Sequence, residues 1–135
     1  MNRFFLAALD LRNRDCVLFG SGEEALLRSG TLVEHGARLH IVTPDPSEEL
    51  RRWSAEHSVV NLEEREPLES DLDGVWLAVL AEHNETWRRF LAPHAERKRV
   101  FFCAVDDPAE NSFAHVGVAR AGALQIGVST SGALP

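Results

Sequence analysis

The sequence predicts an α/β domain in which helices cover both faces of a parallel sheet and an antiparallel hairpin follows. Three observations predict this fold class. Short apolar runs alternate with amphipathic stretches over residues 15–105, and a glycine-rich turn directly follows the first run. After Pro108 the alternation gives way to two apolar runs joined by a short turn. Alternation of strands and helices is typical of a parallel sheet with crossover helices.

Composition and charge narrow the class of protein. A chain of 135 residues with 44% hydrophobic and 26% charged residues suits one globular domain. The net charge of -7 argues against general binding to nucleic acid or to an anionic membrane. No apolar run reaches the roughly 20 residues of a membrane span. The two cysteines lie in apolar runs, as buried thiols of a reducing compartment do, so we expect a cytoplasmic protein.

The first part of the chain predicts a strand, a helix and a second strand. Residues 15–19 form an apolar run without alternation, which indicates a strand buried on both faces. Apolar residues then recur at helical spacing over residues 25–33, and Gly36 stands where a glycine commonly follows a helix. Residues 38–42 form the second strand.

The next elements are a helix and a weaker strand. Asp45 and Pro46 predict the helix start, with Asp45 as the N-cap and the proline at the first helical position. We expect the helix to end near His57. Residues 59–62 form the weaker strand, and the acidic stretch 63–73 is a loop or short helix.

The strongest buried strand covers residues 75–81, and a helix follows from about Asn84. Pro93 should kink or restart that helix, because proline lacks the backbone N–H. Another buried strand covers residues 100–105.

Beyond these elements, two strand-like runs predict the hairpin. They cover residues 113–119 and 124–129 and are joined by Arg120-Ala121-Gly122-Ala123. We therefore divide the chain into an α/β domain, residues 1–112, and a hairpin segment, residues 113–135.

The turn after the first strand carries the pattern Gly20-x-Gly22-x-x-Ala25. Between a buried strand and an amphipathic helix, this pattern is typical of Rossmann-like dinucleotide binding. Gly20 allows a tight turn, Gly22 allows a pyrophosphate to approach the backbone, and Ala25 allows close packing of helix on strand. The helix N-terminus then offers N–H groups to the anion. A glycine turn without a ligand is the alternative.

A second cofactor signal lies after the second strand, where an acidic residue commonly binds the ribose hydroxyls. Asp45 is near the expected distance, but the same residue is a plausible helix cap, and both roles stay open. NAD is favoured over NADP, although Arg38 and Arg51 keep that choice open. Glu23 and Glu24 should face the ribose or solvent. The candidate cofactor-binding residues are Gly20, Ser21, Gly22, Glu23, Glu24, Thr43, Pro44, Asp45 and Ala81.

The catalytic candidate is Asp106, which directly follows the fifth strand. Ligands of open parallel sheets bind beyond the carboxyl ends of the strands, and this places Asp106 near the nicotinamide or the substrate. The alternative is a simple turn at Asp106-Asp107-Pro108. His83 and His115 are further candidates for proton transfer. The six histidines show no paired metal-ligand spacing, so no metal ligand is assigned.

These residues together resemble the siroheme-synthase N-terminal module and the stand-alone precorrin-2 dehydrogenases over nearly the whole chain. The matching stretches are residues 11–22, 34–39, 105–108, 112–113 and 128–132. The resemblance implies oxidation of precorrin-2 to sirohydrochlorin with NAD+, catalysis by Asp106, a homodimer and, in many members, insertion of Fe2+.

Several residues depart from the pattern of this family and favour a function other than precorrin-2 oxidation. Ser21 replaces the middle glycine of the family turn, Cys103 stands where an asparagine is common, and residues 81–84 replace a run of small residues. Relatives also continue past the end of this sequence into a dimerisation and substrate region, so we expect either a shortened chain or a reduced relative. The alternative function is a non-catalytic NAD-binding or regulatory module.

Overall fold

The computed structural model describes residues 3–130, which contain seven strands and three α-helices. Five strands form one parallel sheet: β1 (Asp15–Phe19), β2 (Arg38–Val42), β3 (Val60–Glu63), β4 (Leu77–Leu80) and β5 (Phe101–Ala104). The helices that connect them are α1 (Glu23–Glu34), α2 (Glu48–Ala55) and α3 (Glu85–Lys98). The strand order is β3-β2-β1-β4-β5. The order reverses at the neighbours β1 and β4, and such a switch point opens a crevice for ligands.

The sheet is buried on both faces, and β1 at its centre shows why. Val17 and Phe19 pack on the face covered by α3, together with Leu91. Leu18 packs on the opposite face with Leu32 of α1. All these side chains are at most 3% exposed. The predicted parallel sheet with helices on both faces is therefore confirmed.

The strand bounds follow the sequence closely in the first half of the chain. β1 and β2 have the predicted bounds, whereas β4 and β5 are shorter than residues 75–81 and 100–105. Backbone N–H groups of Trp76 and Ala81 still donate to β1, so the pairing of β4 extends by one bond at each end. A short 3-10 helix, Glu69–Leu72, lies in the acidic stretch before β4.

One helix prediction was wrong in detail. The N-cap of α2 is Ser47 rather than Asp45, because the Ser47 hydroxyl accepts the N–H of Leu50 at 3.2 Å. Asp45 lies outside the helix and is exposed. Helix α3 continues through Pro93 rather than restarting there, and buried residues before and after the proline hold it against the sheet. The predicted kink at Pro93 stays a prediction. Asn84 caps α3 and accepts the N–H of Trp87.

The predicted hairpin is present as a separate two-stranded antiparallel sheet, β6 (Gly117–Ala121) and β7 (Leu124–Val128). Gly122 takes a φ of 60° in its turn, where glycine is favoured. Arg120 reaches back to His35 of the main domain at 3.2 Å. Residues 131–135, including the end of the predicted family run at 128–132, lie outside the described residues. Within residues 3–130, no helix has the length and apolarity needed to cross a bilayer.

Candidate functional site

The glycine turn lies between β1 and α1, and its first glycine, Gly20, is closely packed against Ala25 and Ala81. A Cβ on Gly20 would come within 3.1 Å of both the Ala25 Cβ and the Ala81 carbonyl oxygen. Gly20 and Ala25 therefore bring α1 close to β1 and β4. This is the packing that the Gly-x-Gly-x-x-Ala pattern predicts.

The upper side of the same turn is open. A Cβ on Gly22 would meet nothing within 4 Å, and Gly22 takes a φ of -115°, so neither packing nor backbone conformation requires a glycine there. Gly22 also gives α1 no side-chain cap. The first N–H groups of the helix are thus free of a capping side chain, beside space into which a phosphate would fit. The turn fits a dinucleotide pyrophosphate on these observations.

The loop after β2 lies against the turn. The Ser47 N–H donates to the Ser21 carbonyl oxygen at 2.8 Å, which joins the two loops that carry most of the cofactor candidates. Thr43 is buried at the end of β2, whereas Pro44 and Asp45 are exposed. Because Ser47 is the cap, the Asp45 carboxylate does not cap α2. Its role at the ribose stays a prediction.

The two glutamates at the start of α1 differ in exposure and in their contacts. Glu23 is exposed, and Glu24 pairs with Arg28 one turn later at 2.8 Å. Both line a wide groove between the starts of α1 and α2, together with Glu48 and Glu49. Within the described residues, four glutamates and no cation line this groove.

The end of β4 places a carboxylate on the turn. Glu82 Oε1 accepts the backbone N–H of Ser21 at 2.8 Å and its hydroxyl at 3.0 Å. Sequence reasoning missed this contact. The only signal was that Glu82 belongs to the segment 81–84 that departs from the family pattern.

Asp106 lies just past the carboxyl end of β5, where it lines a cavity of about 530 Å³. The wall of this cavity includes Arg28 from α1, His115 from the segment before the hairpin, and Thr130. The Asp106 carboxylate also contacts His83 Nδ1, which follows β4. Two of the predicted proton-transfer candidates, Asp106 and His83, are therefore in direct contact. The third, His115, lines the same cavity as Asp106.

An arginine of α3 pairs with acidic side chains of the turn that carries Asp106. The Arg88 guanidinium of α3 lies 3.2 Å from the Asp107 carboxylate and 2.7 Å from that of Glu110. Its side chain is only 11% exposed, and it also pairs with Glu85 at 2.6 Å. Arg88 thus connects α3 to both ends of the turn after β5. The basic cluster in which it lies gave no sequence signal for this role.

Three residues that line this cavity, His115, Cys103 and Asn111, are half-buried or buried and carry no charge near neutral pH. Burial, together with the positive charge of Arg28, lowers the pKa of His115 to about 4. Burial raises the pKa of the Cys103 thiol to about 11. Asn111 donates to the Cys103 sulfur at 3.5 Å and bonds both backbone groups of Ala104. Among residues 3–130, no group of three His, Cys, Asp or Glu side chains is arranged to hold a metal ion.

Comparison with known proteins confirms the predicted resemblance. A family model for NAD(P)-binding domains, NAD_binding_7, matches residues 7–116. Siroheme synthase 2 of Klebsiella pneumoniae is 32% identical over 125 residues, and the siroheme synthase of Citrobacter koseri is 34% identical over 125 residues. Each match covers 93% of this chain but 27% of the relative. The chain therefore spans about a quarter of the length of these relatives.

A solved structure supports the fold. SirC, a precorrin-2 dehydrogenase, superimposes with a TM-score of 0.84 at 23% identity, covering 98% of this chain and 64% of SirC. At this identity the likeness concerns the fold. Because the family model covers most of the chain, including the five strands of the parallel sheet and the glycine turn, the chain belongs to the NAD(P)-binding family NAD_binding_7.

Proposed function

We propose that this chain oxidises precorrin-2 to sirohydrochlorin with NAD+ and that Asp106 is the general base. The observation that carries the proposal is the position of Asp106, which lies just past the carboxyl end of β5 and lines the 530 Å³ cavity between β5 and the hairpin. The similarity to siroheme synthases and to SirC supports the substrate class.

The proposed chemistry divides between the cofactor and the chain. NAD+, when bound, supplies the acceptor for a hydride, that is, one proton with two electrons. Asp106 would accept the second proton that the substrate loses, and its contact with His83 holds the carboxylate at the cavity edge. Arg28 is the cation that lines the cavity within the described residues, and its Nε already pairs with Glu24 at 2.8 Å. His115 adds no charge near neutral pH, because its pKa is about 4.

Asp106→Asn tests the catalytic role, and Asp107→Asn is the matched control. Asp107 does not line the cavity, and an asparagine there can still accept the Ala109 N–H. Given NAD+ and precorrin-2, D106N should lose about 100- to 10,000-fold in NADH formation and keep its affinity for NAD+. D107N should lose far less. Loss of NAD+ binding in D106N would instead assign Asp106 a structural role.

We further propose that the Asp106 carboxylate assists Fe2+ insertion by accepting pyrrole protons, two of which are released as the metal enters. The rate of insertion is measured by adding Fe2+ to sirohydrochlorin and following the siroheme spectrum. D106N should slow this step relative to D107N. Equal rates in the two variants would remove Asp106 from metal insertion.

The preference for NAD over NADP is supported by the two arginines near the second strand. Arg38 pairs with Asp15 at 3.0 Å, and Arg51 pairs with Glu64 at 2.8 Å. Neither guanidinium is thus free for a 2′-phosphate, and Asp45 would repel one. Calorimetry should give a lower Kd for NAD+ than for NADP+, and the reverse order would contradict the preference.

The predicted homodimer is supported by the exposed hairpin. Leu124, Ile126 and Val128 share one face of β7 and are 54–62% exposed, which invites a second copy. Ile126→Lys should shift the sedimentation coefficient towards the monomer. Val118→Lys, on the opposite face of the hairpin, is the matched control. A chain that sediments as a monomer without any substitution would contradict the dimer.

A non-catalytic NAD-binding module is the second candidate, favoured by the altered segment after β4, where Glu82 occupies donors of the turn. Calorimetry and turnover separate the two functions. NAD+ binding without NADH formation from precorrin-2 would favour the module and contradict the dehydrogenase.

A further inference from the structure

The glycine turn already holds an anion supplied by the chain itself. Ser21 donates two hydrogen bonds, from its backbone N–H and its hydroxyl, to one oxygen of Glu82. The parallel pairing of β1 with β4, with Phe19 opposite Leu80, brings the residues that follow these strands together. Both side chains are half-buried, so the contact is shielded from solvent in part.

A carboxylate oxygen with two donors resembles a bound phosphate oxygen. Both carry negative charge, and both accept from N–H and O–H groups at similar distances. The space above Gly22 is otherwise open, since a Cβ there would meet no heavy atom within 4 Å apart from those of its chain neighbours. Glu82 is thus the chain's own occupant of the donors at Ser21.

We infer that Glu82 competes with the dinucleotide pyrophosphate for the Ser21 donors, so that NAD+ binds in exchange for the carboxylate and with reduced affinity. The inference rests on the proposed function, in which this turn binds NAD+. Glu82 is therefore a residue that determines affinity, and it acts through Ser21 rather than on the reacting atoms.

Three variants separate competition for donors from the removal of charge. Glu82→Ala removes both the charge and the acceptor. Glu82→Gln removes the charge but keeps an amide oxygen that can accept from Ser21. Glu49→Gln is the matched control, because Glu49 is an exposed carboxylate that lines the acidic groove beside the turn.

Calorimetry with NAD+ measures the competition. E82A should lower the Kd about tenfold, equivalent to about 1.4 kcal/mol. E82Q should lower it less, because its amide oxygen still accepts from Ser21. E49Q should change it by no more than about twofold, the size expected for an exposed charge. Equal tightening in E82A and E49Q would mean that charge alone acts, and would overturn the inference.

The amide resonance of Ser21 provides a readout independent of affinity. In nitrogen-15 NMR spectra, the free wild-type chain and free E82A should differ at Ser21, and saturating NAD+ should bring both resonances to the same position. If NAD+ binds but leaves the wild-type Ser21 resonance in place, the exchange does not occur. NAD+ binding with one affinity in wild type and E82A overturns this inference alone. No binding in any variant overturns the proposed cofactor as well.

Discussion

The Asn111 side chain bonds the backbone of β5, the edge strand of the parallel sheet. Its removal should lower the free energy of unfolding by a measurable amount. Its side-chain oxygen accepts the Ala104 N–H at 2.7 Å, and its amide donates to the Ala104 carbonyl at 3.0 Å. Asn111 is only 8% exposed. In Asn111→Ala, a buried N–H without an acceptor costs about 1–3 kcal/mol and the second bond about 0.5–1.5 kcal/mol. We expect a loss of about 2–4 kcal/mol in the free energy of unfolding.

Urea unfolding followed by circular dichroism measures this loss, with the transition midpoint converted by the linear extrapolation. Asn61→Ala is the matched control, since Asn61 is exposed and makes one side-chain bond, to Glu63, at 3.4 Å. It should change the free energy of unfolding by less than about 0.5 kcal/mol. A loss below about 1 kcal/mol in N111A would refute the reasoning, because water would then satisfy Ala104 as well as the amide does.

Three further predictions concern the cap, the turn and the cavity. Ser47→Ala should destabilise the chain by about 1 kcal/mol in urea unfolding and Asp45→Ala by clearly less; the opposite order would restore Asp45 as the cap. Gly20→Ala should cost about 1–3 kcal/mol in the same assay, because its Cβ would crowd Ala25; an unchanged midpoint would contradict that packing. His115 has a pKa of about 4 in the folded chain and near 6.5 when unfolded, so the unfolded state binds more protons between these values. Stability should fall by up to about 3 kcal/mol as the pH drops through this window, and His115→Gln should lack this part of the loss.

The parts of the site that lie within one strand–turn–helix unit could be predicted from the sequence. Gly20, Gly22 and Ala25 follow one strand at fixed spacing, and their packing depends on neighbours in sequence. Asp106 could be placed because the carboxyl ends of parallel strands meet at one edge of the sheet. His83 could likewise be placed near Asp106, because β4 and β5 are neighbours in the sheet.

The contacts that could not be predicted join loops of different units. Glu82 and Ser21 are 61 residues apart, and which acceptor reaches the turn depends on side-chain conformation that no periodicity encodes. Arg88 occupies an ordinary position in a charged helix, and only the fold brings it to the turn after β5. Asp45 was misread because two capping residues, Asp45 and Ser47, lie within three positions of each other, and local pattern does not decide between them.

The two thiols lie at different depths of the same sheet. Cys16 lies in the central strand β1 and is fully buried, whereas Cys103 lies in the edge strand β5 and is 4% exposed. An alkylating reagent can therefore reach Cys103 when only the edge strand detaches, but it reaches Cys16 only when the sheet separates. The alkylation rates of the two native cysteines should therefore distinguish partial opening of the sheet from global unfolding, without any engineered probe.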